Sequence, residues 1–323
     1  MRSPTVPNRA EPCRPAVTPR PGELVVANPR HRLTGRVYLP MVDQVSNAPA
    51  VHPPVGAATT NGRGPIMAIG GAEDKLDDKI ILSTFVQLAG GPDARIAIVP
   101  TASSIESAGV RYKALFLGMG VGRADVVYIA DREDANGDAP LDLLREASGI
   151  FLTGGNQMRL ATIVGGTTAE KLVRERNADG AVVAGTSAGA SILSSHMVAS
   201  GASGETPKQR MAQMVAGFGL VPDIIIDQHF RQRERIGRLL ALVASNPGLL
   251  GIGVDEDTAA LIDPNGTLEV VGRHGVTIVD GTHMYSDIFQ VKGHGGITVS
   301  GAQLHILTPG RRFDLRARKL LDR

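Results

Sequence analysis

Gly180-Ala181-Val182-Val183-Ala184-Gly185-Thr186-Ser187-Ala188-Gly189-Ala190-Ser191-Ile192-Leu193 reads as a short apolar strand, a tight turn and a helix. Its centre, Gly185 to Gly189, is a G-x-S-x-G elbow. In such an elbow the serine takes a strained backbone conformation, and glycines two positions before and after it let strand and helix approach. The helix N-terminus then aims backbone N–H groups at an oxyanion, with that of Ala188 the expected donor. A chain with 39 glycines produces the five-residue pattern by chance. A serine capping a helix after a glycine turn would also read alike. The strand before and the helix after give the pattern its weight.

The same texture recurs upstream. Pro65–Gly71, Arg95–Pro100, Ala124–Ala130 and Gly149–Thr153 are short Val/Ile-rich runs, with helical patterns between them such as Asp78–Leu88 and Gly109–Leu117. Continuous apolar runs alternating with helices describe a parallel sheet covered on both faces. The expected fold is therefore α/β, a doubly wound and mostly parallel sheet that binds ligands at the carboxyl ends of its strands. Beyond Gly251 the strands shorten, with hairpin-like turns at Asp263-Pro264-Asn265-Gly266 and Gly293-His294-Gly295-Gly296. Neither G-x-G-x-x-G nor a P-loop G-K-[ST] is present, so nucleotide-binding readings fail.

Residues 1–65 have another character. They hold 12 of the 20 prolines, eight arginines and three acids (Glu11, Glu23, Asp43), a net charge of +5. The remaining 258 residues carry −3, so the net +2 of the chain comes from this stretch and gives no basis for a nucleic-acid partner. Proline at that density blocks helices and ladders, and residues 1–64 are expected to be a largely disordered extension, with Leu24–Val26 and Arg36–Leu39 as short pieces able to dock. A basic localisation arm is the sharper but weaker reading of the same stretch. Residues 65–323 are expected to form a single catalytic domain. Cys13, the sole cysteine, allows no intrachain disulfide, which favours a reducing, cytoplasmic setting. No run approaches the ~18–20 apolar residues of a membrane span, and Met1–Pro15 lacks the apolar core of a secretory signal.

A serine nucleophile needs a base and a group to orient that base. Of the eight histidines, His229 directly follows the apolar run Ile224-Ile225-Ile226, on the rim where Ser187 is expected. His31 and His52 fall in the extension, and His196, His274, His283, His294 and His305 read as loop or hairpin histidines without metal-ligand spacing. For the orienting acid, the run Leu250–Val254 leads into Asp255, Glu256 and Asp257. Alternation puts Glu256 on one face and its two neighbours on the other, and does not choose among them. After His229, Ile236, Leu239, Leu240 and Val243 form the apolar face of a helix. Arg231, Arg235 and Arg238 fall opposite, and Arg233 falls nearer the apolar side, where it needs a buried partner or a ligand. Four arginines beside a catalytic histidine suit carboxylate ligands, gripped in a bidentate manner. The turn Gly154-Gly155-Asn156-Gln157 offers free N–H groups that would complete an oxyanion hole, with Gln157 reaching substrate.

Taken together, Gly185–Ala190, Thr153–Gln157, the Asp227-Gln228-His229-Phe230 segment with its arginines, and Gly253–Ala259 resemble the cyanophycinases, in the serine peptidase family that also contains aspartyl dipeptidase E. The resemblance runs from about Pro65 to near the C-terminus. It implies a class I glutamine-amidotransferase-like three-layer α/β/α fold, a homodimer, and an exopeptidase that needs no metal or cofactor. The implied substrate is cyanophycin, a poly-aspartate with arginine joined to each side-chain carboxyl, and the product is β-aspartyl-arginine. Carried over by position, Ser187 is the nucleophile, His229 the general base and Glu256 the orienter. Gly155 and Ala188 form the oxyanion hole. Gln157, Thr186, Asp227, Gln228, Arg233, Arg235 and Arg238 line the substrate pocket, with Asp227 able to meet the substrate guanidinium. The alternatives are a dipeptidase for simple N-terminal aspartyl peptides, which has no need of the arginine cluster, and an inactive binding module, which has no need of Ser187 and His229. The extension departs from the compact family pattern and leaves the catalytic inference untouched.

Overall fold

The computed structural model describes residues 62–321. The expectations for the extension, Cys13, His31 and His52 included, lie outside the described residues. From Ile66, the chain alternates strand and helix. It runs β1 (Ile66–Ile69), α1 (Ile80–Leu88), β2 (Arg95–Val99), α2 (Ala108–Gly118), β3 (Arg123–Val126), α3 (Asp138–Arg145), β4 (Gly149–Leu152), α4 (Gln157–Val164), α5 (Thr168–Ala178) and β5 (Val182–Thr186). A single turn, α6 (Ala188–Ser191), follows the elbow, then β6 (His196–Gly201), β7 (Ala212–Ala216), β8 (Ile224–Gln228) and α7 (Ile236–Ser245). The remainder is strands: β9 (Leu250–Val254), β10 (Thr258–Ile262), β11 (Thr267–Gly272), β12 (Val276–Asp280), β13 (Tyr285–Ser286), β14 (Val299–Ser300), β15 (Gln303–Leu307), β16 (Arg312–Asp314) and β17 (Lys319–Leu321).

Strands β1, β5, β4, β2 and β3 are parallel neighbours in that order, and β10, β11, β16 and β17 continue the sheet antiparallel from β1. The alternation of β1 shows why both faces are covered. Ile66 and Ala68 pack with Leu144 of α3 and Val173 of α5, whereas Met67 and Ile69 pack with Leu82 and Phe85 of α1 and Phe116 of α2. Side chains that are apolar on both sides of a strand need helices on both sides. Phe85, Phe116 and Phe151 meet at 5.3–5.5 Å between ring centroids in tilted and edge-on pairs. Burying each ring fully contributes about 1.5–3 kcal/mol.

A second, four-stranded sheet runs β15-β12-β9-β8, with β8 and β9 parallel. One face of it, through Ile226, Ile252 and Ile278, joins the main core; the other, through Ile225 and Val279, is covered by Leu239 and Val243 of α7. The sequence pattern suggested one sheet, and periodicity gives no sign that β8 and β9 pair apart from β1 and β5. His196 and His305, read as loop or hairpin histidines, lie on the antiparallel strands β6 and β15, the latter ring 4.9 Å from that of Phe313. The Gly293–Gly296 turn belongs to a longer excursion between β13 and β14. None of the described helices is long and apolar enough to cross a membrane.

Candidate active site

The carboxyl ends of β5, β8 and β9, drawn from the two sheets, converge. Ser187 stands between β5 and α6 with φ +52°, ψ −110°, a conformation that costs about 1–3 kcal/mol and persists only where its surroundings enforce it. The enforcement is visible in the flanking glycines. A Cβ on Gly185 would lie 2.0 Å from the carbonyl oxygen of Gly189, and one on Gly189 would lie 2.3 Å from that of Leu152. The Ser187 N–H donates to the Ile69 carbonyl at 2.9 Å, which fastens the elbow to β1.

His229 follows β8 directly, again at positive φ (+47°), and its N–H donates to the Gly70 carbonyl at 2.8 Å. Its Nε2 is 2.8 Å from Ser187 Oγ and its Nδ1 is 2.6 Å from Glu256 Oε1. Burial is the largest influence on the imidazole and lowers its pKa, with Glu256 opposing and the nearby positive charges of Arg233 and Arg235 reinforcing the shift. The ring is therefore neutral at pH 7, as a general base must be.

The three consecutive acids do separate work. Asp255 accepts the N–H groups of Arg231 (3.0 Å) and Gly275 (3.3 Å), and Asp257, at φ +48°, accepts that of Asp74 (2.8 Å). Only Glu256 reaches the imidazole. Its own N–H donates to Gln232 Oε1 at 3.1 Å.

Next to Ser187, the N–H groups of Ala188 and Gly155 donate to no acceptor among the described residues. Because α6 is one turn long, any oxyanion stabilisation there rests on these individual donors rather than on a long helix dipole, a correction to the expected helix. Asn156 was not singled out in the sequence: its side chain accepts from the N–H groups of Met158 (2.8 Å) and Arg159 (3.2 Å), capping α4.

Arg231 is exposed as the helical reading expects, and the other three arginines are arranged in reverse of it. Arg231–Arg233 form a 3-10 turn, Glu234 is left-handed (φ +49°), and α7 begins only at Ile236, so the 100° periodicity does not extend back to Arg231. Arg235 and Arg238 are buried, and Arg233 is exposed and has no ion pair among the described residues. Arg238 grips Asp227 with Nε and Nη2 at 2.6 and 2.5 Å, and Arg235 Nη1 reaches the same carboxylate at 3.2 Å and Gln228 Oε1 at 2.6 Å. Asp227 is 0% exposed and also accepts the Gln228 N–H. The expectation that it meets a substrate guanidinium gives way here, since the carboxylate is fully buried and already faces Arg235 and Arg238. Gln228 Nε2 lies 3.3 Å from Ser191 Oγ. Gln157 donates to the carbonyls of Val198 and Ala199, both at 3.1 Å, which ties α4 to β6. The Thr186 hydroxyl donates to Glu73 Oε2 at 2.7 Å, an acid the sequence reading missed. Glu73 follows an apolar strand closely, as Glu256 does, and that shared placement was its signal. Among the described residues no group of three His, Cys, Asp or Glu is placed to share a metal ion.

The model of peptidase family S51 matches residues 66–270. The chain is 42% identical over 259 residues to the cyanophycinase of Trichormus variabilis, covering 79% of this chain and 87% of that one. It is 40% identical over 261 residues to the cyanophycinase of Synechococcus elongatus, covering 80% and 81%. A crystal structure of a peptidase from an acI-B1 Actinobacterium shares the fold with a TM-score of 0.56 at 22% identity, over 75% of this chain and 97% of that one. Matched by the family model over residues 66–270 and by relatives at 40–42% identity, the chain belongs to peptidase family S51.

Proposed function

We propose that this peptidase is a cyanophycinase, releasing β-aspartyl-arginine from cyanophycin through an acyl-enzyme on Ser187. The observation that carries the reading is the hydrogen-bonded chain Ser187–His229–Glu256 with an exposed guanidinium, Arg233, that has no ion pair among the described residues and is close enough to influence the imidazole. Relatives named cyanophycinase at 40–42% identity support the substrate.

In this mechanism Ser187 Oγ attacks the scissile carbonyl carbon while His229 Nε2 takes its proton. Glu256 accepts the Nδ1–H, which keeps the tautomer that leaves Nε2 free to act. The N–H groups of Ala188 and Gly155 stabilise the tetrahedral oxyanion. His229 returns the proton to the leaving amine as the C–N bond breaks. A water molecule then loses a proton to His229, attacks the ester and frees Ser187.

Each arginine of the polymer keeps a free α-carboxylate, and Arg233 is the guanidinium available to clamp it. Asp227, Gln228, Arg235 and Arg238 act as one buried, hydrogen-bonded block beside His229. Gln157 is held by the carbonyls of β6 and Thr186 by Glu73, contacts that support their assignment to the substrate pocket. The reading includes a homodimer in the cytoplasm.

The test is incubation of the purified protein with insoluble cyanophycin and identification of the soluble products by mass, with Ser187→Ala as the control. Release of β-aspartyl-arginine by the wild type alone is expected. Failure to release it, with cleavage of α-aspartyl dipeptides instead, would move the substrate to simple aspartyl peptides.

A further inference from the structure

Glu73 is outside the Ser187–His229–Glu256 chain, yet it is only 3% exposed and lies against the elbow. A carboxylate at that depth is costly unless its lone pairs are filled. Here Oε2 takes the Thr186 hydroxyl at 2.7 Å, and Oε1 takes the Tyr112 hydroxyl and the Lys75 ammonium, the latter at 3.0 Å. Tyr112 is itself fixed: its ring lies 4.7 Å from that of Phe151 and 6.1 Å from that of Phe116. Burial first, and the charge of Glu73 second, push the phenol far above its ordinary pKa, so the hydroxyl remains a donor throughout the working range. Lys75 lies 5.4 Å from the centroid of the same ring and also donates to the Glu73 carbonyl at 3.1 Å.

The loop that carries Glu73 also holds the other two members of the chain. The Gly70 carbonyl accepts the His229 N–H at 2.8 Å. Gly71, at φ +98°, is so close to the imidazole that a Cβ there would lie 2.3 Å from Cε1. The Gly71 carbonyl accepts the Asp257 N–H at 2.9 Å, and the Asp74 N–H donates back to Asp257 at 2.8 Å, gripping the residue next to Glu256 on the side facing β10. One short loop thus touches the elbow, the histidine backbone and ring, and the acid-bearing turn.

We propose that Glu73 is a positioning residue of the peptidase centre, holding Thr186 so that Ser187 Oγ stands in line with His229 Nε2. The inference rests on Ser187 being the nucleophile. If Glu73 merely filled a polar gap in the core, its loss would lower stability and leave the chemistry of folded molecules alone. As a positioning group it acts on kcat, because a displacement of the order of 1 Å at the reacting atoms costs about 100-fold in rate.

The experiment compares Glu73→Gln, Thr186→Val, their double variant and Thr186→Ser with the wild type, each shown to be folded by its melting transition. Two readouts are taken: kcat and KM on cyanophycin, and the rate constant for phosphonylation of Ser187 by an alkyl fluorophosphonate ester, which loses fluoride as the Oγ–P bond forms. Glu73→Gln is expected to lower both kcat and the phosphonylation rate about 100-fold, with KM within about twofold. Thr186→Ser restores the hydroxyl and is expected to recover most of the phosphonylation rate that Thr186→Val loses. The double variant falls no further than the worse single variant, because both changes break one link. Phosphonylation of folded Glu73→Gln within about threefold of the wild type would overturn the proposal, as would losses that multiply in the double variant. Should Glu73→Gln fail to fold, Tyr112→Phe removes one donor and keeps the carboxylate. A loss of roughly tenfold in the phosphonylation rate is then expected, and an unchanged rate would overturn the proposal. Wild-type protein that is phosphonylated but releases nothing from cyanophycin would sink the substrate assignment alone, because the phosphonate reads Ser187 without it.

Discussion

Replacing Asp227 by asparagine tests whether this acid serves substrate or structure. The change keeps the shape of the side chain and removes its charge. In the folded protein that charge faces Arg238 in a two-pronged contact at 2.5 and 2.6 Å and Arg235 at 3.2 Å, with the three residues 0%, 4% and 8% exposed. Solvent screening is therefore slight, and the variant leaves two guanidinium groups buried side by side. Removing one partner of a buried, hydrogen-bonded ion pair costs about 3–5 kcal/mol. Arg235 is already pulled down to about 10, chiefly by burial, and Asp227 is the attraction that holds it up, so the loss pushes it further in the same direction. Against a typical total of about 5–15 kcal/mol, the expected drop in melting temperature is about 6–20 °C. Arg238→Met is expected to cost less, because Asp227 keeps Arg235 and the Gln228 N–H. The assay is urea unfolding at constant slope together with KM on cyanophycin. An Asp227→Asn protein within about 1 kcal/mol of the wild type, with KM raised about tenfold or more, would refute the buried-block argument and return Asp227 to the substrate.

Two further outcomes are expected. The acid limb of kcat/KM should inflect below the ordinary histidine value of 6.5, since burial lowers the His229 pKa and only the neutral ring accepts the serine proton; Arg233→Met removes one charge that favours the neutral form and should move that limb to higher pH. Gly189→Ala places a methyl 2.3 Å from the Leu152 carbonyl oxygen, backbone against backbone, and should lower stability by about 1–3 kcal/mol in a thermal melt.

Much of the architecture was present as local pattern. Doubly apolar runs such as Ile66–Ile69 can only be strands sandwiched between helices, and a serine flanked by Gly185 and Gly189 announces its elbow. His229 and the acid triplet were legible because each ends an apolar strand, and strand ends form the rim of an α/β sheet. The identity of Glu256 as the histidine partner came from family resemblance, because alternation alone leaves Asp255 and Asp257 equivalent.

What the sequence by itself determined are the features set within one element: strand, helix, elbow and the rim on which reactive side chains lie. Only the tertiary structure decided how elements from separate parts of the chain use those side chains. A break at Glu234 rotates the arginines, so that Arg235 and Arg238 turn inward to a carboxylate on β8 while Arg233 stays outside. The pairing of β8 with β9 in the second, four-stranded sheet brings His229 and Glu256 to a serine that follows a strand of the main sheet. Glu73, 113 residues from Thr186 in the chain, joins the site through a contact that no local periodicity encodes. Burial and ion pairing depend on where distant segments meet, so the partner of each charge is a property of the packed molecule.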